Sequence, residues 1–224
     1  MRFRKIYSME DLEALIQEVG FLPFFPNSIP GYSVDECTPR ELWFADGVEG
    51  PWDWKGPIAM HKNCAYGKFF QGKAGFISLD HFPAFLNYRR DGYDFDARWD
   101  DELASVKDKQ LMDVFLKQPS VLTHELKSLC NYGKNGQKGF ETVVTRLQMQ
   151  TYITVQNFEY RTDKNGKPYG WGIARYSTPE AIFGTEMIEN AYREDPVDSA
   201  KRMAAYLRKL LPDATEIQIE KLIG

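Results

Sequence analysis

The sequence predicts an α+β fold built around a winged helix-turn-helix domain at residues 101–178. Three amphipathic patterns with helical spacing follow one another from Ser105 to Met149. Two β-rich runs joined by Asp-Lys-Asn-Gly-Lys come next, and Asn-Gly between such runs is a strong hairpin signal. Three short helices followed by a hairpin is the order of a winged helix. We expect a small N-terminal antiparallel sheet plus helices at residues 1–100, and a helical C-terminal tail packed on the rest at residues 179–224.

The composition is that of a globular protein. Hydrophobic residues make up 43% and charged residues 27% of the 224 positions, which argues against long disordered segments. No run approaches the roughly 20 apolar residues that span a bilayer, and the first residues lack the apolar core of a signal peptide. We therefore expect a cytoplasmic protein that makes no membrane contact.

The cysteine and histidine pattern argues against a disulfide framework or a metal site. Cys37, Cys64 and Cys130 are far apart and form no CxxC pair, so we expect reduced, mostly buried thiols. His61 and Cys64 form a pair at ligand spacing, but a single pair is weak support for metal. Nucleotide-binding loops and common hydrolase motifs are missing, so the sequence predicts no metal and no cofactor.

The N-terminal elements are predicted from caps and breakers. Ser8 can cap a first helix that ends at Gly20. The proline-rich run at residues 21–32 excludes helix and predicts an apolar loop. A short helix from Pro39 to Phe44 follows. Three strand candidates, PIAMHK, AYGKFF and AGFIS, then predict a small antiparallel sheet between Trp52 and Ser78.

The next helices are predicted in the same way. Ser78 can cap a helix that runs through Tyr88, and the segment at residues 89–102 is predicted as a loop. Ser105 and Asp108 match a capping box for the first helix of the winged domain.

Two more helices complete the winged domain. Pro119 ends the first helix, Ser120 can cap the second, and a turn at residues 132–136 ends it. The third helix carries Phe140, Val143, Val144 and Leu147 on its apolar face. After the hairpin, the tail is predicted to form a helix near Val197–Leu211 and a last short one after Pro212.

The charge distribution points to a basic surface on the winged domain. The net charge of the chain is −4, which alone argues against a nucleic-acid partner. Residues 132–176, however, hold seven basic and three acidic side chains, a balance of +4. The basic ones are Lys134, Lys138, Arg146, Arg161, Lys164, Lys167 and Arg175, and we predict that they contact nucleic acid.

The third helix is the candidate recognition helix. Its outward residues are expected to be Glu141, Thr142, Thr145, Arg146 and Met149. Only one of them is an arginine, so contact with the DNA backbone is favoured over base reading in the major groove. The alternative is a protein-interaction module whose lysines form a solvated face.

Aromatic and basic residues also mix in the N-terminal half, where they can stack bases and hold phosphates. The alternative for the aromatic residues is burial in the core. Arg89 and Arg90 are predicted as further nucleic-acid contacts. The cluster consists of Trp52, Trp54, Lys55, Lys68, Phe69, Phe70, Lys73, Arg89 and Arg90.

One motif carries a resemblance to a known family. Leu147-Gln148-Met149-Gln150, leading into the hairpin, resembles the glutamine-hydrophobic-glutamine motif of the AlkZ-type DNA glycosylases, which excise alkylated or crosslinked bases. The runs at 50–56, 65–70 and 85–96 resemble the short AlkZ-related proteins, over nearly the whole chain.

The resemblance implies that Gln148 and Gln150 are catalytic and lie near the scissile N-glycosidic bond. A cationic alkylpurine is a good leaving group, so a placed water matters more than a strong acid. The alternative is that both amides cap the helix end and bond the departing backbone.

Three functional hypotheses follow. The first is a protein that binds duplex, damaged DNA, with glycosylase activity through the two glutamines. The second is a noncatalytic winged-helix module, either a transcriptional regulator or a protein-binding adaptor. The third is an enzyme that acts on a small molecule through the aromatic N-terminal half. The sequence predicts no oligomeric state.

Overall fold

The computed structural model describes residues 3–44, 47–164, 166 and 168–224. The strands of the described residues are β1 Phe21–Pro23, β2 Cys64–Phe70, β3 Lys73–Ser78, β4 Ser120–Leu122, β5 Thr154–Thr162 and β6 Pro168–Ser177. The helices are α1 Met9–Val19, α2 Val34–Cys37, α3 Glu41–Phe44, α4 Pro51–Met60, α5 Phe82–Arg90, α6 Phe95–Asp100, α7 Val106–Phe115, α8 Thr123–Leu129, α9 Phe140–Met149, α10 Pro179–Phe183, α11 Thr185–Ala191, α12 Pro196–Leu210 and α13 Glu216–Ile223.

The strands form one antiparallel sheet in the order β1-β3-β2-β5-β6-β4. The sheet predicted for the N-terminal half and the hairpin predicted for the winged domain are therefore parts of one sheet. The register pairs Tyr66 of β2 with Val155 of β5, and the Thr154 hydroxyl donates to the Tyr66 carbonyl at 2.7 Å. The α+β class is confirmed, and the buried hydrophobic residues of both halves belong to one core.

Helices α1, α7 and α9 follow their sequence signals. The Ser8 hydroxyl accepts from the Asp11 amide at 3.2 Å, and α1 ends at Gly20 with φ of 70°. Ser105 and Asp108 form the expected capping box. Helix α9 buries Phe140, Val143, Val144 and Leu147, as predicted.

The strand predicted over PIAMHK is wrong, because residues 57–60 of that run form the second half of α4. Pro57 lies inside the helix, where a proline normally signals a break because it lacks an N–H donor. The helix begins correctly nonetheless, with Pro51 in its first turn and the Asp53 carboxylate accepting from the Gly50 amide at 3.0 Å. The start of α4 therefore carries Trp52, Asp53 and Lys55 as helical residues.

Two predicted caps are also wrong, because both serines lie in strands. Ser78 ends β3, and its amide donates to the Gly20 carbonyl at 2.8 Å, whereas α5 begins at Phe82. Ser120 starts β4, which pairs with β6, and α8 begins at Thr123. The predicted loops at residues 21–32 and 89–102 contain β1 and α6 respectively.

The C-terminal helices pack on the first half of the chain. The side-chain Nδ2 of Asn87, in α5, donates to the Glu194 backbone carbonyl at 2.8 Å and to the Ser199 hydroxyl at 3.0 Å. The Tyr206 hydroxyl of α12 donates to the Glu18 carbonyl at 3.1 Å. Within the described residues, no helix is long and apolar enough to cross a membrane.

Candidate functional site

Helix α9 lies between two cavities. Its outward residues, Glu141, Thr142, Thr145, Arg146 and Met149, line an open cavity together with Arg89 and Gln150. We call this cavity the outer groove, and its volume is about 640 Å³. The buried side of α9 contributes Gln148 to a second cavity of about 360 Å³. The two glutamines of the motif therefore line different cavities.

The second cavity has mostly aromatic walls, and we call it the aromatic pocket. Its floor is the sheet, and α4 contributes one side. Trp171 of β6 is 84% exposed, and its ring centroid lies 6.5 Å from that of Trp52. The lining includes Phe25, Trp52, Asp53, Lys55, Tyr66, Lys68, Gln148, Val155, Phe158, Tyr160, Trp171 and Tyr176.

The orientation of the Gln148 amide is determined by its backbone partners. Its Oε1 accepts from the Lys68 amide at 3.1 Å, and its Nε2 donates to the Val144 carbonyl at 3.3 Å. Because a backbone N–H can only donate, the oxygen must face Lys68. The side chain is 1% exposed, so this amide is held in one orientation at the pocket wall.

Tyr176 lines the same pocket as Gln148. Burial raises the pKa of Tyr176 to about 12, and hydrogen bonds to Thr123 and Gln148 oppose the rise. Its hydroxyl is therefore protonated at neutral pH. Tyr176 and Gln148 together offer hydrogen-bonding groups on an otherwise aromatic wall.

Lys55 is a buried cation of the aromatic pocket. Its Nζ donates to the Trp52 carbonyl at 2.5 Å and lies 4.9 Å from the Trp52 ring centroid and 4.5 Å from that of Phe158. The residue is 7% exposed. Burial lowers the pKa of Lys55 to about 8, with an opposing effect from Asp53. The ammonium form therefore predominates at pH 7.

Lys68 connects the two cavities. Its backbone amide holds Gln148, while its Nζ lies 3.3 Å from the Thr145 hydroxyl and 4.0 Å from the Glu141 carboxylate. Its charge is therefore directed to the outer groove.

A family model described as AlkZ related matches residues 6–224. The chain belongs to the AlkZ-related family. No curated protein and no solved structure matches it. The resemblance predicted from the glutamine motif and the three other runs is therefore confirmed at the level of the family.

The outer groove of this AlkZ-related protein brings together Arg89, Arg146 and Gln150, three of the predicted site residues. Arg146 donates to the Asp108 carboxylate at 2.6 and 3.1 Å. An Arg89 NH2 group donates to the Phe69 carbonyl at 2.8 Å, and burial lowers the pKa of Arg89 to about 10. The Arg89 guanidinium is thus cationic at neutral pH, and both side chains are held in place by protein groups.

The other predicted cations differ in their surroundings. Lys134, Lys138, Arg161 and Lys164 are exposed. Arg175 is paired with the Glu159 carboxylate at 2.5 Å. Lys167 lies outside the described residues.

Arg90 is predicted as a nucleic-acid contact, yet it is 1% exposed. Its NH1 donates to the Glu180 carboxylate at 2.5 Å and to the Tyr192 hydroxyl at 2.6 Å, and its NH2 donates to the Thr151 carbonyl at 2.8 Å. This guanidinium joins α5 to the chain after α9 and to the C-terminal helices. Arg90 therefore has a structural role, and its buried guanidinium is not part of the exposed cationic surface.

Sequence reasoning missed Trp171, Tyr160 and Tyr176 as pocket residues. Trp171 stands between Gly170 and Gly172 in a strand, and a large ring between two glycines in an exposed hairpin is a usable signal. Tyr160 and Tyr176 carry no comparable local signal.

Proposed function

We propose that this protein binds duplex DNA and accommodates one damaged base in the aromatic pocket, beside Gln148. Membership of the AlkZ-related family suggests a DNA-repair-like role. The observation that carries the proposal is that the first glutamine of the motif lines an aromatic cavity of about 360 Å³. Enzymes that act on a base take it out of the helix and stack it between aromatic side chains.

The order and pairing of elements support a winged helix at residues 101–178. The elements follow in the order α7, β4, α8, α9, β5 and β6. Strands β5 and β6 form a hairpin, and β4 pairs with β6. In this proposal α9 is the recognition helix and the hairpin is the wing. The exposed cations Lys134, Lys138, Arg161 and Lys164 contact the DNA backbone, together with Arg89 and Arg146 in the outer groove.

The chemistry proposed for the pocket is hydrolysis of the N-glycosidic bond. The two backbone bonds of Gln148 use one donor and one acceptor site, and an amide has two of each. The remaining sites can bond Tyr176 and position the base or the attacking water. Gln150 lines the outer groove, so we propose that it contacts the strand next to the extruded base.

A pair of glutamine substitutions tests this proposal. Gln148→Ala is expected to slow release of an alkylated purine from duplex DNA by about 100-fold, which is typical for loss of a positioned polar group. Gln150→Ala is expected to have a smaller effect. Rates of base release in single-turnover reactions measure both.

The matched control for both variants is Gln118→Ala, which changes an exposed glutamine outside both cavities and should leave the rate unchanged. An unchanged rate for Gln148→Ala would refute its catalytic role. A parent protein that binds DNA but releases no base would support the noncatalytic alternative.

A salt titration tests the DNA interface. The affinity for duplex DNA should fall steeply with salt, because each neutralised phosphate releases counterions. Lys164→Gln and Arg161→Gln should each lower the magnitude of the log–log slope by about 0.9. Lys201→Gln is the control, because Lys201 is exposed on α12 and paired with Asp198. An affinity that does not respond to salt contradicts the interface.

A further inference from the structure

The aromatic pocket resembles a site for a cationic ligand, but a side chain of the protein already fills the cation position. Two rings that face an ammonium group within about 6 Å bind it through their electron-rich faces. Here the ammonium is that of Lys55, which lies over both Trp52 and Phe158. A positively charged base in this pocket would have to compete with Lys55 for the same rings.

The other charged groups of the pocket lining are Asp53 and Lys68. Asp53 lies on the exposed side, where its carboxylate accepts from the Gly50 amide. The Lys68 Nζ is directed to Thr145 and Glu141, in the outer groove. Burial raises the pKa values of the three lining tyrosines, Tyr66, Tyr160 and Tyr176, so all three are uncharged at neutral pH. The buried charge that lies over the pocket rings is therefore that of the Lys55 ammonium.

We infer that Lys55 makes the aromatic pocket selective for uncharged bases and against bases that carry a positive charge. The inference rests on the proposed function and specifies its substrate class. Two like charges within a few ångströms in a desolvated site repel each other strongly. An uncharged base can instead stack on Trp52 or Trp171 and place a carbonyl or ring-nitrogen acceptor towards the Lys55 ammonium. O-alkylated bases belong to this class, whereas ring-nitrogen-alkylated purines with a fixed positive charge do not.

Two isomeric methylguanines provide a matched pair of probes. O6-methylguanine is uncharged, while N7-methylguanine in DNA is cationic at pH 6.5. Each is placed at one position of the same duplex, with a 2′-fluorine on its sugar that resists cleavage of the N-glycosidic bond. Binding is measured at pH 6.5, where Lys55, with a pKa of about 8, is protonated.

The parent protein is expected to bind the O6-methylguanine duplex at least 10-fold more tightly than the N7-methylguanine duplex. Lys55→Met removes the charge, keeps the length of the side chain and leaves the two rings free. It should reduce this preference by at least 10-fold, mainly through tighter binding of the cationic base. Lys55→Arg keeps the charge and should keep the preference. Lys55→Gln serves as a second uncharged variant if Lys55→Met does not fold.

The possible outcomes separate the inference from the proposed function. A parent that binds both modified duplexes equally, or prefers the cationic base, overturns the inference while DNA binding stands. A preference that is the same in Lys55→Met and Lys55→Gln as in the parent also overturns it. A parent with no measurable affinity for any of the duplexes, including the unmodified one, overturns the proposed function itself.

Discussion

Replacing Arg90 with methionine is expected to lower the free energy of unfolding by about 3 kcal/mol, the low end of the range for breaking a buried ion pair. Arg90 is 1% exposed, and its three polar partners are Glu180, Tyr192 and Thr151. Methionine fills a similar volume but leaves these partners without their donor. The Glu180 side chain is 32% exposed, so water partly compensates, and we therefore expect the low end of the range.

Urea denaturation followed by tryptophan fluorescence measures this effect. Arg202→Met is the matched control, because Arg202 also forms an ion pair with a glutamate, Glu194, but its side chain is 54% exposed. Exposed pairs contribute about 0.2–1 kcal/mol, so the control should be nearly as stable as the parent. Equal stability losses in the two variants would show that burial of Arg90 has no special importance.

Gly50→Ala is the second substitution with a large expected effect. A Cβ atom at this position would lie 1.7 Å from the Leu42 carbonyl oxygen, so the backbone on one side must move. Overpacking of this kind costs about 1–3 kcal/mol, and we expect the upper end because the clash is with backbone. Gly50 precedes α4, so the shift should also displace Trp52 and Lys55 from the aromatic pocket.

Thermal unfolding and near-ultraviolet circular dichroism of the tryptophans test the Gly50→Ala variant. Gly133→Ala is the control, since a Cβ atom there has no neighbour within 4 Å among the described residues. Its stability should change by less than about 0.5 kcal/mol. A Gly50→Ala protein with the stability of the parent would mean that Leu42 moves aside without cost.

Local signals allowed much of the fold to be predicted from the sequence. The caps at Ser8 and Ser105, the apolar face of α9 and the hairpin after it all depend on residues within one or two turns of each other. Hydrogen bonds between residues this close in the chain can be predicted from the residue types and their spacing. The outward residues of α9 could be predicted for the same reason.

Elements and contacts set by distant residues could not be predicted. Strand β4 exists because β6 pairs with it more than 50 residues along the chain. Helix α4 continues through Pro57, although proline disfavours the interior of a helix. These are tertiary effects that override local propensity.

In the candidate site, too, some features could be predicted from local sequence and others are set by distant residues. The motif indicated Gln148 and Gln150, but the Gln148 amide is oriented by Lys68, which lies 80 residues before it. The buried Arg90 is paired with Glu180 and Tyr192, which lie 90 and 102 residues after it in the sequence. Adjacent arginines at 89 and 90 look alike in the sequence and have different roles in the structure.

The shared sheet has a consequence for how the protein can be divided. A cut near residue 100 would separate β2 from β5, which pair at Tyr66 and Val155, and expose one edge of each strand. Exposed strand edges recruit strands from other molecules and promote aggregation. The hairpin that we propose as the wing is thus also joined to the N-terminal strands through β5, and truncated variants should retain both β2 and β5.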